Sequence, residues 1–198
     1  MNLRIFKPDG PPAPESPVAL ALREAQRLRQ LVRLERPEAG TPFSHGIPIA
    51  LSSNLLLLRE IAADQFRPDG YGIYRLGDIA DIRSDEHERF YERLLAAEGI
   101  ESVPANLPDV DIRDWVAALG SPYLASRLIG VEAEYLPEPE YWVGRLEQVD
   151  EVSVSLLCVG STGEWDSDPL EIEIGDVSCA HFETRYLDVF ERHCGLPE

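Results

Sequence analysis

An internal repeat is the feature of this sequence that most restricts its fold. The segment LGDI at 76–79 returns 98 residues later as IGDV at 174–177. Gly46 and Gly144 have the same separation, and further landmarks keep the same order at a nearly constant offset. Self-similarity at a fixed period indicates a structural unit that is used more than once. The sequence therefore predicts a duplicated unit, each copy a helix followed by about five short strands and a second helix.

Local signals place the elements inside each copy. Ser16 before Pro17 is a favoured helix start, because serine caps the first turn and proline suits the first helical position. The second copy has Asp109 or Asp111 as the cap of a helix predicted over 109–119. Ile172 and Ile174 alternate with acidic residues, which is the pattern of a half-buried strand.

A helix followed by five short, bent strands resembles the Sm-like and SH3-like small barrels, and bacterial proteins of unknown function that carry such barrels in tandem. The resemblance implies a mainly β fold with flanking helices (α+β), built as two tandem small β-barrels. The predicted domains are a proline-rich arm at 1–16, a first repeat at 17–99, a linker at 100–108 and a strongly acidic second repeat at 109–195.

The repeated glycine–aspartate step has a structural interpretation. A glycine at a strand junction permits a sharp bend, and the aspartate after it can accept backbone hydrogen bonds there. We therefore interpret Gly77 with Asp78, and Gly175 with Asp176, as structural corners of the repeat and not as catalytic groups.

Net charge limits the class of partner. The chain has 36 acidic and 18 basic residues, and residues 101–198 alone carry a net charge of −16. Such a field repels nucleic acid and anionic membranes and attracts basic proteins. The sequence shows no membrane span and no apolar signal region, and its three cysteines suit a reducing compartment, so we expect a cytoplasmic protein.

Motifs for common chemistries are absent from the sequence. Lys7 is the sole lysine, which excludes a phosphate-binding P-loop. There is no glycine-rich dinucleotide fingerprint and no nucleophile elbow. His45 follows Ser44 on a predicted strand, where neighbours point to opposite faces and cannot act as a pair. We therefore assign no catalytic residue and no cofactor.

Cysteines and histidines of the second copy are candidate zinc ligands. Cys179 and His181 alternate on one predicted strand and can share a face, but no Cys-x-x-Cys pair accompanies them. Buried cysteines commonly act as small apolar residues. The sequence alone therefore predicts no metal site, and the acidic loop around Asp166 and Asp168 is interpreted as solvated.

Aromatic residues are the binding candidates. Tyr71 and Trp165 occupy matching turns of the two copies, and Tyr141 and Trp142 open a strand among acidic residues. Exposed aromatic side chains often anchor protein partners. The hypothesis from sequence is a non-enzymatic protein-binding module, such as an adaptor, inhibitor or immunity protein, that acts on a basic partner through an acidic surface. An RNA-binding Sm-like module and an unrecognised hydrolase are the alternatives.

Overall fold

The computed structural model describes residues 16–37 and 43–194. The predicted proline-rich arm, apart from Ser16, and Gly195 at the end of the second repeat lie outside the described residues. The strands are β1 (Val32–Glu35), β2 (Phe43–Leu51), β3 (Leu55–Ala62), β4 (Arg67–Arg75), β5 (Asp81–Arg83), β6 (Leu128–Ala133), β7 (Glu140–Val149), β8 (Ser153–Cys158), β9 (Leu170–Glu173) and β10 (Cys179–Phe182). The helices are α1 (Pro17–Leu28), α2 (Glu86–Ala97), α3 (Trp115–Leu119), α4 (Pro122–Ala125) and α5 (Arg185–His193).

The strands form one antiparallel sheet in the order β5-β1-β2-β3-β4-β10-β6-β7-β8-β9. The prediction of a mainly β fold with flanking helices is confirmed. The two halves do not form separate barrels. They share one continuous, open sheet, with β5 and β9 as its edge strands. Across the described ranges, no helix is long and apolar enough to span a bilayer.

Both halves of the sheet have the same strand order and register. The first half reads β5-β1-β2-β3-β4 and the second reads β10-β6-β7-β8-β9, so each has its last strand beside its first. Gly46 pairs with Glu60 on β3, and Gly144 pairs with Cys158 on β8. The register then shifts between Pro48 and Ala50 in one half and between Leu146 and Gln148 in the other. Even this irregularity recurs 98 residues later.

The halves meet at β10, the last strand in the chain and a central strand of the sheet. Cys179 of β10 pairs with Tyr74 of β4 on one side and with Glu132 of β6 on the other. One hydrophobic cluster crosses this junction and also includes Leu119 of α3 and Leu124 of α4. Helices α3 and α4 therefore pack on the core that the two halves share, and the pairing of β10 with β4 is a contact that the sequence patterns do not predict.

Helix starts follow their capping residues. Ser16 accepts a hydrogen bond from the backbone of Ala19 at the start of α1, as the sequence predicts. The helix predicted over 109–119 is shorter, because Asp114 and not Asp109 or Asp111 accepts the capping bond, and α3 begins at Trp115. Asp111 instead binds the backbone of Arg113 in the preceding turn.

The paired glycines give the first testable prediction. A Cβ on Gly144 would meet the carbonyl oxygen of Leu157 and would lie 2.9 Å from the Leu156 side chain; Gly46 has an equivalent environment. Gly144→Ala should therefore lower the free energy of unfolding by about 1–3 kcal/mol. Gly175→Ala is the matched control, since no atom lies within 4 Å of its Cβ position. Equal urea midpoints for the two variants would contradict this packing.

Candidate functional site

The two aromatic residues predicted at matching turns do not form a common surface. Tyr71 is buried, and its ring stacks on Phe182 with 5.3 Å between centroids. Trp165 packs in a different hydrophobic cluster, where its Nε1 donates a hydrogen bond to the carbonyl oxygen of Cys194 at 3.3 Å. Both rings therefore contribute to packing, and their role in binding stays a prediction.

Tyr141 and Trp142 are neighbours on β7 and so point to opposite faces of the sheet. Trp142 packs against the central core, whereas the Tyr141 residue is 45% exposed. Partial burial raises the pKa of Tyr141 to about 12. Its ring lies over Gly130, where a Cβ would come within 2.5 Å of the phenol oxygen.

The predicted corner residues lie in the turns before β5 and β10. Gly77 and Gly175 have open space at their Cβ positions and no positive φ, so these turns do not require glycine. Asp176 donates its backbone N–H to the carbonyl of Glu173 at 3.0 Å. Burial raises the pKa of Asp78, while Arg75, 3.9 Å away, acts in the opposite direction. The corner role of these four residues stays a prediction.

A buried ion pair crosses the junction between the halves. Arg36, just after β1, is 2% exposed, and its Nη1 lies 2.5 Å from Oε2 of Glu134, just after β6. Ser178 donates its hydroxyl to the same carboxylate at 3.0 Å. The guanidinium also stacks on the Tyr74 ring, 4.7 Å from the centroid. Two buried charges persist only when they are paired, so this ion pair links the two halves, although Nε of Arg36 has no hydrogen-bond partner among the described residues.

A second set of polar side chains surrounds His181 on the same face of the sheet. The Nε2 atom lies 3.2 Å from Sγ of Cys179 and 3.2 Å from Oε1 of Glu132. The Nδ1 atom lies 3.0 Å from Oε2 of Glu60 on β3. Tyr74 donates a short hydrogen bond to the other oxygen of Glu60. His181 thus brings together groups from both halves of the chain.

Neighbouring charges and burial shift the pKa values of Cys179, His181 and Glu132. Burial raises the pKa of the Cys179 thiol to about 11. Burial would lower the pKa of His181, but Cys179 and Glu60 hold it well above its ordinary value. Burial also opposes ionisation of Glu132, yet the hydrogen bond from His181 keeps the pKa of that carboxyl low. Groups with perturbed pKa values often mark functional sites.

A cavity of about 250 Å³ opens beside this set. Its walls include His181, Glu132, Glu60, Arg36 and His45. The alternation of Cys179 and His181 was visible in the sequence, but Glu60 and Glu132 were not, because they come from distant strands and acidic residues are abundant throughout the chain.

Another group of ligand-type residues lies at α2. Oε1 of the fully buried Glu88 is 3.6 Å from Nε2 of His45 and 3.4 Å from Nδ1 of His87. Oε2 of Glu88 accepts the backbone N–H of Asp85, which completes the capping box of α2. The buried carboxylate of Glu88 therefore stabilises the start of α2 through this capping hydrogen bond.

The outer edge of β9 carries an acidic row. Glu171 and Glu173 are exposed and alternate with Ile172, which is buried. Ile174 donates its N–H inward to the carbonyl of Val152, so alternation directs the N–H groups of Glu171 and Glu173 outward. Within the described part of the chain, no strand pairs with this side of β9.

Comparison with known proteins adds no relative. No protein-family model matches the chain, and neither does any curated protein or solved structure. The function must therefore be argued from the geometry above.

The buried ion pair gives a prediction on stability. Glu134→Ala leaves Arg36 buried without its partner and should lower the free energy of unfolding by about 3–5 kcal/mol. The double variant Arg36→Met, Glu134→Leu removes both charges and should be clearly more stable than the single variant. Urea denaturation of both variants tests this. A single variant as stable as the wild type would show that the pair is not desolvated.

His45 gives a prediction on pH dependence. Burial lowers its pKa, against the attraction of Glu88, while His87 and Arg33 act with burial. The unfolded chain therefore takes up a proton on His45 more readily than the folded chain once the pH falls below about 6.5. The contribution of His45 to the free energy of unfolding is therefore fully present above that pH and decreases as the pH falls below it. In urea titrations from pH 7.5 to 5.5, His45→Gln should lose less stability than the wild type; parallel curves would contradict the argument.

Proposed function

We propose that this chain, a duplicated protein with one open antiparallel sheet, binds a basic protein partner by adding a strand of that partner to β9. The observation that carries the proposal is the β4–β10 pairing. β4 and β9 are equivalent strands in the two halves, and β4 receives an antiparallel neighbour on the side that β9 leaves free.

Backbone hydrogen bonds support the equivalence of the two edges. Leu76 and Ile174, 98 residues apart, donate inward to the carbonyls of Asn54 and Val152. Arg75 donates outward to the carbonyl of Ser178, the residue just before β10, at 3.3 Å. Glu173 is the counterpart of Arg75, and its outward N–H is available to a strand from another protein. Strand addition of this kind gives affinity through backbone bonds and specificity through side chains.

Charge selects the occupant of this edge. The residues with outward N–H groups, Glu171 and Glu173, also have acidic side chains. The second half carries most of the chain's net charge of −18. Two copies of the chain therefore repel each other, while a strand with lysine or arginine at alternate positions is attracted. Pro169, which has no N–H, limits the pairing to the length of β9. A protein partner with a short basic strand fits these features best.

The RNA-binding alternative receives less support from the geometry. Phosphate binding by this chain would need a basic surface, and the sequence offers one candidate set of arginines: Arg23, Arg27, Arg29, Arg33 and Arg36. Arg27 pairs with Glu24 at 2.6 Å, and Arg36 is buried against Glu134. Arg33 lies within 4 Å of three carboxylates. Three of these five arginines therefore already have carboxylate partners, which reduces the positive charge available to phosphate.

Binding of a defined peptide tests the proposal. A fluorescently labelled peptide of alternating lysine and valine should bind the full chain, and a glutamate–valine peptide should not. Glu171→Pro removes an outward N–H without touching the β8 ladder and should abolish binding of the lysine peptide. Glu171→Gln keeps the N–H and should weaken binding only in part. Fluorescence anisotropy measures all four cases.

Two results would overturn the strand-addition proposal. The first is lysine–peptide binding that is equal in Glu171→Pro and Glu171→Gln, since the backbone would then play no part. The second is absence of peptide binding together with salt-sensitive binding of single-stranded RNA, which would favour the nucleic-acid alternative.

A further inference from the structure

The spacing of Cys179 and His181 places both side chains on one face of β10. Glu132 is the direct cross-strand partner of Cys179 on β6, so its side chain lies on the same face. Three ligand types thus converge from two adjacent strands: a thiol, an imidazole and a carboxylate.

Their separations match those of atoms around one metal ion. His181 Nε2 lies 3.2 Å from both Cys179 Sγ and Glu132 Oε1, and the three atoms all lie within 4.8 Å of one another. Zinc bond lengths of about 2.0–2.3 Å in a tetrahedron place neighbouring ligand atoms about 3.3–3.6 Å apart. Small side-chain adjustments would therefore admit the ion.

The surroundings of His181 are those of a metal ligand. Its Nδ1 lies 3.0 Å from the Glu60 carboxylate, which orients the ring and presents Nε2 to the other two groups. Carboxylate–histidine–metal arrangements of this kind are usual at zinc sites. Tyr74 in turn holds Glu60.

Glycines on both sides of His181 make room for this arrangement. His181 pairs with Gly72 on β4 and with Gly130 on β6. A Cβ on Gly72 would lie 2.8 Å from the Glu60 carboxylate and 2.5 Å from the Tyr74 ring. Gly72 thus lacks the side chain that would displace Glu60 and Tyr74, whereas a Cβ on Gly130 would meet the Tyr141 ring.

The first half of the chain offers an internal comparison. Glu35 pairs with Asp81 there as Glu132 pairs with Cys179, and Arg83 takes the position of His181. Arg83 Nε lies 2.9 Å from Glu35 and 3.3 Å from Asp81. A guanidinium that cannot lose its proton occupies the place of the imidazole. The set of metal-type ligands is therefore confined to one of the two equivalent positions.

We propose that Glu132, Cys179 and His181 bind one Zn²⁺ ion, with Glu60 as the residue that positions His181. A thiolate with an imidazole favours zinc over magnesium or calcium, which prefer oxygen ligands. The charges of one thiolate and one carboxylate balance those of the ion. Two protons must leave when the ion binds: that of the Cys179 thiol, and the one on Nε2 of His181 that faces Glu132, because zinc binds the thiolate and the neutral imidazole. This site is independent of the strand-binding edge at β9.

The cavity beside the site suits the fourth coordination position. His181 and Glu132 line it, so an ion held by the three side chains would face it and could carry a water molecule there. The sequence alone predicted no metal, because Glu132 and Glu60 are brought to Cys179 and His181 only by the sheet.

Metal titration of the purified full chain tests the proposal. After treatment with a chelator, the wild type should take up about one Zn²⁺ per chain in competition with a chromophoric indicator. Loading with Co²⁺ should give a sulfur-to-cobalt charge-transfer band and the intense visible bands of tetrahedral cobalt. Cys179→Ser should abolish the charge-transfer band, and His181→Ala should abolish stoichiometric binding. Glu60→Gln should weaken zinc binding by about 10–100-fold.

Two control variants separate this site from other ligands. Cys158→Ser replaces another buried cysteine and should leave the cobalt spectrum unchanged. His87→Ala removes a member of the group at α2 that does not line the cavity, and it should leave the zinc stoichiometry unchanged. If a variant at Cys179 does not fold, the cobalt spectrum of the wild type still decides whether a thiolate binds the metal. A wild type without stoichiometric zinc, or with cobalt bands that lack sulfur charge transfer, would overturn the proposal.

Discussion

The pairing of β10 with β4 is the interaction on which the rest of the structure depends. Because β10 is the last strand in sequence and a central strand in space, the sheet is complete only when the end of the chain reaches its middle. The same pairing brings Arg36 to Glu134 and Glu60 to His181. A non-local contact of this kind carries a high cost in loop-closure entropy, and the buried core that spans the junction offsets it.

Much of the local structure could be predicted from the sequence, because it depends on neighbouring residues. Ser16 as a cap and the alternation of Ile172 with acidic residues are signals of this kind. The sequence places the start of α3 too early, since three aspartates lie within six positions and only Asp114 accepts the capping hydrogen bond, from Ala117. The pairing of β10 with β4 could not be predicted, because strand order depends on contacts between residues about a hundred positions apart. No local sequence pattern encodes such contacts.

The candidate site likewise combines residues that a local sequence pattern brings together with residues that only the folded sheet brings together. Cys179 and His181 were recognisable as a pair on one strand, but a pair of ligands does not define a metal centre. The carboxylates that complete it come from β3 and β6 and were hidden among 36 acidic residues. The two halves share register and strand order, yet Arg83 stands where the second half has His181. Equivalent positions have therefore acquired different chemistry while the backbone pattern is the same.

Native-state hydrogen exchange tests the central claim, that the halves form one sheet through β4 and β10. The two amides to compare are those of Arg75, which donates to Ser178 just before β10, and Glu173, its open counterpart on β9. One continuous sheet predicts that the Arg75 amide exchanges only when the whole chain unfolds, while the Glu173 amide exchanges quickly. Equal, fast exchange at both positions would contradict the account, because it would mean that the two halves are separate units with free edges.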